Sequence, residues 1–164
     1  MIRKSFNNNQ NDLSKIPDGS GLYYFFENDR LLYVGKAKRL KWRIREHQKI
    51  NEYTNQFINH LKTEIFPLLE NNDIQRLLKQ RKKIDFCIMM SSGQQRIDLA
   101  FHRVTKIEIE EMEHRLTKNA ETERIQELRP SLNHEICGHD EEVDEIIDKC
   151  DKIGRILLKE FWQM

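Results

Sequence analysis

The sequence predicts an α+β fold in which a small three-stranded antiparallel sheet is flanked by helices. Two short segments rich in aromatic and branched residues follow each other closely, and a segment with helical spacing comes next. A later segment places Ile84, Phe86, Ile88 and Met90 at alternating positions, on one side of a strand. An isolated hairpin is only marginally stable in water, so the third strand and the helices are needed to complete the sheet. The 164 residues suffice for one such domain with a small addition.

The first half of the predicted sheet is a hairpin. Residues 23–26, Tyr-Tyr-Phe-Phe, and residues 31–34, Leu-Leu-Tyr-Val, are of the types favoured in strands. The polar residues 27–30 between them suit a turn, and Gly35 is predicted to end the second strand. The polar, asparagine-rich segment 1–16 predicts a frayed start to the chain.

A basic helix is predicted to follow the hairpin. Leu40 and Ile44 are four residues apart, as on one helix face, and Arg43 and His47 repeat that spacing on another face. Positive charges dominate this stretch, opposed by Glu46 alone: Lys36, Lys38, Arg39, Lys41, Arg43, Arg45 and Lys49. Such a run is typical of a solvated helix face, and it also suits phosphate binding, because the planar guanidinium matches phosphate oxygens.

Four further segments complete the predicted architecture. Two short helices separated by Pro67 are predicted within 51–80, and the alternating residues 83–90 supply the third strand. Residues 96–128 have an approximate apolar stripe that predicts a long helix, broken near residue 105. Residues 140–164 predict a final amphipathic helix, which either covers the flank of the domain or makes a homodimer contact.

Composition points to a cytoplasmic protein without a membrane partner. Charged residues make up 34% of the chain and hydrophobic residues 38%, and no segment approaches the ~20 apolar residues that a membrane span requires. The first residues lack the apolar core of a signal peptide. The net charge is only +1, but the first helix is basic and the segment 140–148 is acidic, so charge is unevenly distributed.

The three cysteines, Cys87, Cys137 and Cys150, do not form a disulfide framework, and their odd number fits a reducing compartment. One interpretation is a zinc site formed by four of the nearby side chains, His134, Cys137, His139 and Cys150. The spacing matches none of the common structural zinc patterns, which favours scattered surface residues instead.

The hairpin and the basic helix carry a family resemblance. The segments 21–23 (Gly-Leu-Tyr) and 33–35 (Tyr-Val-Gly), followed by Arg43 and His47, resemble the signature of the GIY-YIG nucleases. The run 35–40 is similar to the excision-repair branch of that family. His47 resembles the restriction-enzyme branch, because the excision-repair branch usually has tyrosine there.

A second part of the resemblance lies beyond the predicted sheet. Glu121, Pro130 and Asn133 are spaced like the closing motif of the family, in which a helix-borne glutamate ligates the metal and an asparagine follows a proline. Glu113 is the next candidate for the ligand, and the remaining glutamates of this region are interpreted as solvated: Glu108, Glu110, Glu111, Glu123 and Glu127. The resemblance implies a nuclease domain over 1–139, with a helical insertion at about 51–80.

The resemblance implies a metal-dependent DNA endonuclease that uses one divalent ion, Mg²⁺ or Mn²⁺. Glu121 would hold the ion, which suffices because Mg²⁺ keeps several of its waters. Tyr23 would be the base or would orient the water, and Tyr33 would help to hold that water. His47 would transfer a proton or contact phosphate, and Asn133 would brace the site.

Cations complete the predicted site. Arg43 is placed to bind the scissile phosphate and to offset its growing charge. A tyrosine is a poor base at its usual pKa, so a neighbouring cation is needed, and the sequence points to Lys36. Five residues are predicted to contact nucleic acid: Lys36, Lys38, Arg39, Lys41 and Arg43. The alternative is a binding module that keeps the fold for nucleic-acid or protein contact without cutting.

Overall fold

The computed structural model of the chain describes residues 3–82, 96–133 and 140–163. Its strands are β1 (Lys4–Asn7), β2 (Gly21–Glu27), β3 (Arg30–Ala37) and β4 (Lys106–Glu111). Its α-helices are α1 (Gln10–Leu13), α2 (Leu40–His60), α3 (Phe66–Glu70), α4 (Ile74–Lys79), α5 (His114–Leu128) and α6 (Glu141–Gln163). The predicted α+β class, with a small antiparallel sheet flanked by helices, is confirmed.

Within the described residues, the sheet has four strands in the order β1-β4-β2-β3, and all of its pairs are antiparallel. Strand β2 is central, so that Tyr23 lies opposite Gly35 of β3 on one side and Ile109 of β4 on the other. Of these four strands the sequence predicts β2 and β3, whereas β1 and β4 are not predicted. Strand β3 also continues to Ala37, so Gly35 lies inside it and does not end it.

Strand β4 corrects the prediction of a long helix over 96–128. Ile107 and Ile109 are fully buried and point to one side of the sheet, which is the alternation of a strand. Two 3₁₀ turns precede this strand, Arg96–Leu99 and Phe101–Arg103, and the helix begins only at His114. The third strand predicted at 83–90 lies outside the described residues.

Residues 4–7 pair with β4, so the prediction of a frayed start is wrong for the described part of this segment. Lys4 lies opposite Ile109 and Phe6 opposite Ile107 in the β1–β4 register. The Arg3 guanidinium lies 4.0 Å from the centre of the Tyr24 ring, where a cation–π contact is favourable. Pairing and ring contact together hold a segment that has no strand pattern of its own.

Helices cover both faces of the sheet. On one face, apolar residues of β2 and β4 belong to the same buried cluster as Leu40 and Ile44 of α2 and the buried side of α6. On the other face, Leu22, Tyr24 and Val34 pack against α5. The sheet is therefore the middle layer of three.

The region 51–80 is helical, as predicted, but it is divided differently. Helix α2 continues without a break to His60 and runs through a π-helical turn, Leu61–Ile65, into α3. Pro67 is the second residue of α3, directly after this π-helical turn. The interpretation of this region as an insertion stays a prediction.

An arginine joins the hairpin to the start of α6. The Arg103 guanidinium donates to the Glu27 carboxylate at 2.9 Å and to the Asp140 carboxylate at 2.8 Å. Asp140 is only 1% exposed, and it also accepts the N–H of Val143 in the first turn of α6. Five α6 residues enter the core: Val143, Ile146, Cys150, Ile153 and Leu157.

Helix α6 lies over the domain, and the alternative homodimer contact stays a prediction. None of the helices in the described ranges is both long and apolar enough to cross a membrane. Of the cysteine and histidine cluster considered for zinc, Cys150 is buried in the core, whereas His134, Cys137 and His139 lie outside the described residues.

Candidate active site

Two glycines shape the backbone around Tyr23. A Cβ atom on Gly35 would lie 2.2 Å from Cζ and 2.4 Å from Oη of Tyr23, because the Tyr23 ring crosses β3 at this position. A Cβ atom on Gly21 would lie 2.3 Å from the carbonyl oxygen of Glu110 on β4. Both glycines of the signature therefore permit close approach, one of a ring and one of a neighbouring strand.

A buried hydrogen-bonded chain starts at the Tyr23 phenol. Its Oη lies 2.7 Å from Nε2 of His47, and Nδ1 of His47 lies 2.7 Å from Oδ1 of Asp98. A carboxylate oxygen accepts hydrogen bonds, which favours a proton on Nδ1 and leaves Nε2 to accept a hydrogen bond from the phenol O–H. Tyr23, His47 and Asp98 are 1%, 0% and 3% exposed.

Packed rings fix the positions of these groups. The centre of the Tyr23 ring lies 5.9 Å from that of Tyr33 and 5.5 Å from that of His47, and Phe25 stacks on Tyr33. Phe101 of the second 3₁₀ turn packs edge-on against Phe25. Because rings pack with definite geometry, the two phenols and the imidazole have little freedom to move.

Arg43 is the cation that acts on both phenols. Burial raises the pKa of Tyr23 well above its usual value, Tyr33 raises it further, and Arg43 opposes the rise. Burial also raises the pKa of Tyr33 to about 12, with Glu121 adding to the rise and Arg43 opposing it. The sequence assigns this influence to Lys36, whose charge acts on Glu121 instead. In the free protein, Nη1 of Arg43 lies 3.0 Å from Oε1 of Glu46.

Glu121 is a half-buried carboxylate on α5 whose charge acts on the Tyr33 phenol. Burial raises its pKa, whereas the Lys36 ammonium and the Lys36 backbone N–H, which donates to it, lower that pKa. No salt bridge joins Glu121 to a cation within the described ranges. Glu113, the alternative ligand, is 67% exposed at the start of α5 and pairs with Arg115. The geometry therefore favours Glu121 over Glu113.

Glu110 corrects one of the glutamate predictions. The sequence predicts a solvated side chain, but Glu110 is only 3% exposed. It accepts from Tyr24 at 3.1 Å and from Arg124 at 3.4 Å, on the face of the sheet that α5 covers. Its carboxylate therefore serves the packing of α5 on the sheet, and Tyr23 points to the opposite face.

Asn133 is attached to the outer edge of β3. Its Oδ1 accepts the N–H of Val34 at 2.7 Å, and its Nδ2 donates to the carbonyl of Val34 at 2.6 Å. Beside it, the N–H of Leu132 donates to the carbonyl of Leu32 at 2.8 Å. The amide thus takes the place of a neighbouring strand next to Tyr33, which fits a bracing role.

Replacing Asn133 with alanine should lower the free energy of unfolding by about 1–3 kcal/mol, because two hydrogen bonds to the partly buried Val34 backbone are lost. Urea denaturation measures the change. Asn119→Ala, at an exposed position of α5, is the control and should change stability by less than about 0.5 kcal/mol. Equal stability of the Asn133 variant and wild type would contradict the bracing role.

The predicted phosphate-binding residues differ in their availability. Lys36, Lys38 and Arg39 are exposed, and Lys41 and Arg43 are half-buried. Arg39 is engaged by Asp18, whose carboxylate accepts from its Nε at 3.0 Å and from its Nη2 at 2.8 Å. This pairing holds Arg39 at the start of α2.

The structure brings most of the predicted residues together. Tyr23, Tyr33, Arg43 and His47 form one cluster, and Glu121 acts electrostatically on Tyr33 from the neighbouring helix. Asp98 is the residue that sequence reasoning misses. It lies in a 3₁₀ turn within a segment predicted as helix, 51 positions after His47, and no local pattern marks it.

The raised pKa of Tyr33 predicts a loss of stability at alkaline pH. A phenol that stays protonated to about pH 12 when folded, but to about pH 10 when unfolded, makes the unfolded state relatively more favourable as pH rises between these values. The contribution of Tyr33 to the free energy of unfolding is fully present below about pH 10. Between about pH 10 and 12 it should fall by up to about 1.4 kcal/mol per pH unit. Urea denaturation in EDTA measures the slope.

Tyr33→Phe removes this titrating group, so the variant should lose less stability than wild type between about pH 10 and 12. Tyr53→Phe, on the exposed side of α2, is the matched control and should keep the wild-type slope. Identical slopes for wild type and Tyr33→Phe would show that the phenol is not held in its protonated form.

Comparison with known proteins supports the first half of the resemblance. Residues 19–68 match the model of the UvrC-like GIY-YIG domain. The UvrABC system protein C of Fervidobacterium nodosum is 32% identical over 72 residues, which are 44% of this chain and 13% of that protein. The protein of the same name from Helicobacter hepaticus is 39% identical over 83 residues, again 44% of this chain and 13% of that protein.

The similarity is concentrated in the N-terminal part. The UvrABC system protein C of Campylobacter jejuni is 49% identical over 41 residues, 24% of this chain and 7% of that protein. The chain thus spans only a small part of the length of the curated relatives that it matches. No solved structure matches it significantly. Residues 19–68 are thus similar to the UvrC-like GIY-YIG domain, as the hairpin and the basic helix predict.

Proposed function

We propose that this protein is a metal-dependent endonuclease that hydrolyses phosphodiester bonds of DNA. The observation that carries the proposal is the cluster of Tyr23, Tyr33, Arg43 and His47, with Glu121 within electrostatic reach, in a domain similar to that of UvrC. Hydrolysis needs a base, positive charge for the phosphoryl oxygens and support for the leaving oxygen. The cluster contains residue types for each of these needs.

Each side chain has one proposed task. Arg43 binds the scissile phosphate, exchanging its ion pair with Glu46 for the phosphate oxygens. Tyr23 accepts a proton from the attacking water, and Tyr33 helps to hold that water. The exposed Lys36 and Lys38 attract the DNA backbone, together with the half-buried Lys41. Asn133 keeps β3 in place, and with it Tyr33.

Glu121 fits a role as metal ligand. A half-buried carboxylate whose pKa is raised by burial gains from a neighbouring cation, and no salt bridge within the described ranges provides one. Among the described residues, no group of three or more histidine, cysteine, aspartate or glutamate side chains surrounds one point. One carboxylate suits a largely hydrated Mg²⁺ or Mn²⁺. The bound ion would act as a Lewis acid that neutralises charge at the phosphate.

Two features favour the alternative of a binding module that does not cut. Tyr23 is 1% exposed, so a water must pass its neighbours to reach the phenol. Arg39 and Arg43 both have acidic partners in the free protein, Asp18 and Glu46. A module of this kind would bind DNA through the exposed lysines while leaving it intact.

Supercoiled plasmid distinguishes these functions. The purified protein should convert it to nicked circles in Mg²⁺ or Mn²⁺ and should leave it intact in EDTA. A mobility shift without nicking, in either metal, would favour the binding module and overturn the enzyme. Nicking that persists in EDTA would overturn the metal requirement.

Replacing Glu121 with glutamine should raise the Mg²⁺ concentration for half-maximal nicking by at least about tenfold, because the amide keeps the shape but loses the charge that holds the ion. Mn²⁺ binding, followed by electron paramagnetic resonance, should weaken in parallel and does not depend on activity. Glu123→Gln, at an exposed position two residues later on α5, should behave as wild type. An unchanged Mn²⁺ affinity in the Glu121 variant would remove this residue from the metal site.

A further inference from the structure

The unexplained part of the site is the buried end of the hydrogen-bonded chain. Asp98 comes from the 3₁₀ turn Arg96–Leu99, and its Oδ1 lies 2.7 Å from Nδ1 of His47. Asn51, one turn after His47 on α2, donates from Nδ2 to the Asp98 backbone carbonyl at 2.8 Å. Helix α2 thus holds both the imidazole and the turn that supplies its partner.

Burial of His47 and Asp98 limits the hydrogen-bond partners that each of them can have. His47 and Asp98 are 0% and 3% exposed, so water does not provide alternative partners for the imidazole. A carboxylate at Nδ1 fixes which nitrogen carries the proton, and it leaves Nε2 as an acceptor 2.7 Å from the Tyr23 phenol. The geometry is that of a base oriented by a third group.

We propose that Asp98 is a positioning residue, which holds His47 in the tautomer that takes the proton of Tyr23 while Tyr23 takes a proton from the attacking water. This inference rests on the proposed nuclease function and adds to it. Tyr23 on its own is a poor base in this site, because burial raises its pKa. Passing the phenol proton directly to His47 removes the need for a free phenolate.

The transfer is balanced in protons and electrons. The Tyr23 O–H bond breaks as Nε2 of His47 gains that proton, and Tyr23 gains a proton from the water. The water oxygen forms a bond to phosphorus, and the leaving oxygen departs with the electron pair of the broken P–O bond and takes a proton from solvent. His47 then returns its proton through Tyr23 to solvent. The Asp98 carboxylate stabilises the imidazolium in the interval.

A purely structural role for Asp98 is the competing explanation, since buried histidines are commonly hydrogen-bonded for packing alone. The positioning role and the structural role predict different effects of Asp98→Asn in the folded protein. Asparagine keeps the shape but can donate to Nδ1, which favours the tautomer whose Nε2 carries the proton. With a positioning role, kcat for plasmid nicking should fall by roughly 10- to 100-fold with KM unchanged.

A double-mutant cycle with His47→Gln separates the explanations. Asp98→Asn should cost little further activity once His47 is replaced, because Asp98 acts only through that imidazole. The ¹⁵N shifts of His47 should report a protonated Nδ1 in wild type and a protonated Nε2 in Asp98→Asn. Asp148→Asn, exposed on α6, is the matched control and should leave kcat unchanged.

The outcomes distinguish this inference from the proposed function. If wild type nicks and folded Asp98→Asn nicks equally fast, or if the two losses simply add, the positioning role is overturned and the nuclease function stands. If wild type does not nick in either metal, the nuclease function fails and the proton transfer fails with it. Loss of kcat in folded Asp98→Asn, absent in the His47→Gln background, supports the inference.

Discussion

Replacing Arg43 with alanine should lower kcat for plasmid nicking by about 10²- to 10³-fold, which is the range for loss of one electrostatic donor to a transition state. Arg43 is the cation that acts on both phenols, and it lies on α2 one turn before His47. Its removal takes away the positive charge that opposes the raised pKa of Tyr23, and with it the proposed phosphate contact. Steady-state nicking with wild type and variant at equal fractions folded measures the effect.

Two further substitutions show which property of Arg43 matters. Arg43→Lys keeps the charge but loses the planar fork, so it should recover only part of the activity. Arg45→Ala, two residues later and exposed, tests whether general positive charge on α2 is sufficient. If the Arg45 and Arg43 variants lose activity equally, the helix serves only as a charged surface and the specific phosphate contact is ruled out.

Gly35→Ala should destabilise the protein by about 3 kcal/mol or more and abolish nicking, because an added Cβ overpacks a site that has no space for it. The new Cβ atom would lie 2.2 Å from Cζ of Tyr23, which is closer than two nonbonded carbon atoms can approach. The ring cannot move aside without displacing Tyr33 and Phe25 or breaking the bond to His47. Urea denaturation gives the stability change, and nicking gives the activity.

Gly154 provides the control for this substitution. A Cβ atom on Gly154 of α6 meets nothing within 4 Å, so Gly154→Ala should stabilise the helix by up to about 1 kcal/mol. In a Tyr23→Ala background the collision at Gly35 disappears, and Gly35→Ala should then cost little. An equal cost of Gly35→Ala with and without the Tyr23 ring would refute the ring contact as its cause.

The elements that the sequence predicts correctly are those whose signals are local. Strands β2 and β3 are adjacent in the chain and differ in composition from the turn between them, and Leu40 and Ile44 mark the helix that follows directly. The choice of Glu121 over Glu113 also rests on a local signal, its distance from Pro130 and Asn133, and it stays a prediction. Nothing beyond a short range of the chain is needed for these inferences.

The elements that the sequence mispredicts depend on distant partners. The six residues Lys106–Glu111 fit both an alternating strand and part of a helical stripe, and pairing with β2 decides between them. Strand β1 is mostly polar and exists because β4 accepts it as a neighbour. Asp98 becomes significant only when a 3₁₀ turn brings it to His47.

The hydrogen bonds between residues 132–133 and β3 also affect the association of protein molecules with one another. An outer strand with free N–H and carbonyl groups is a template for a strand of a second molecule, and such additions begin aggregation. Here the carbonyl of Leu32 and both polar groups of Val34 are already bonded within the chain. Intermolecular growth of the sheet along β3 is therefore disfavoured, which protects the strand that carries Tyr33 at high protein concentration.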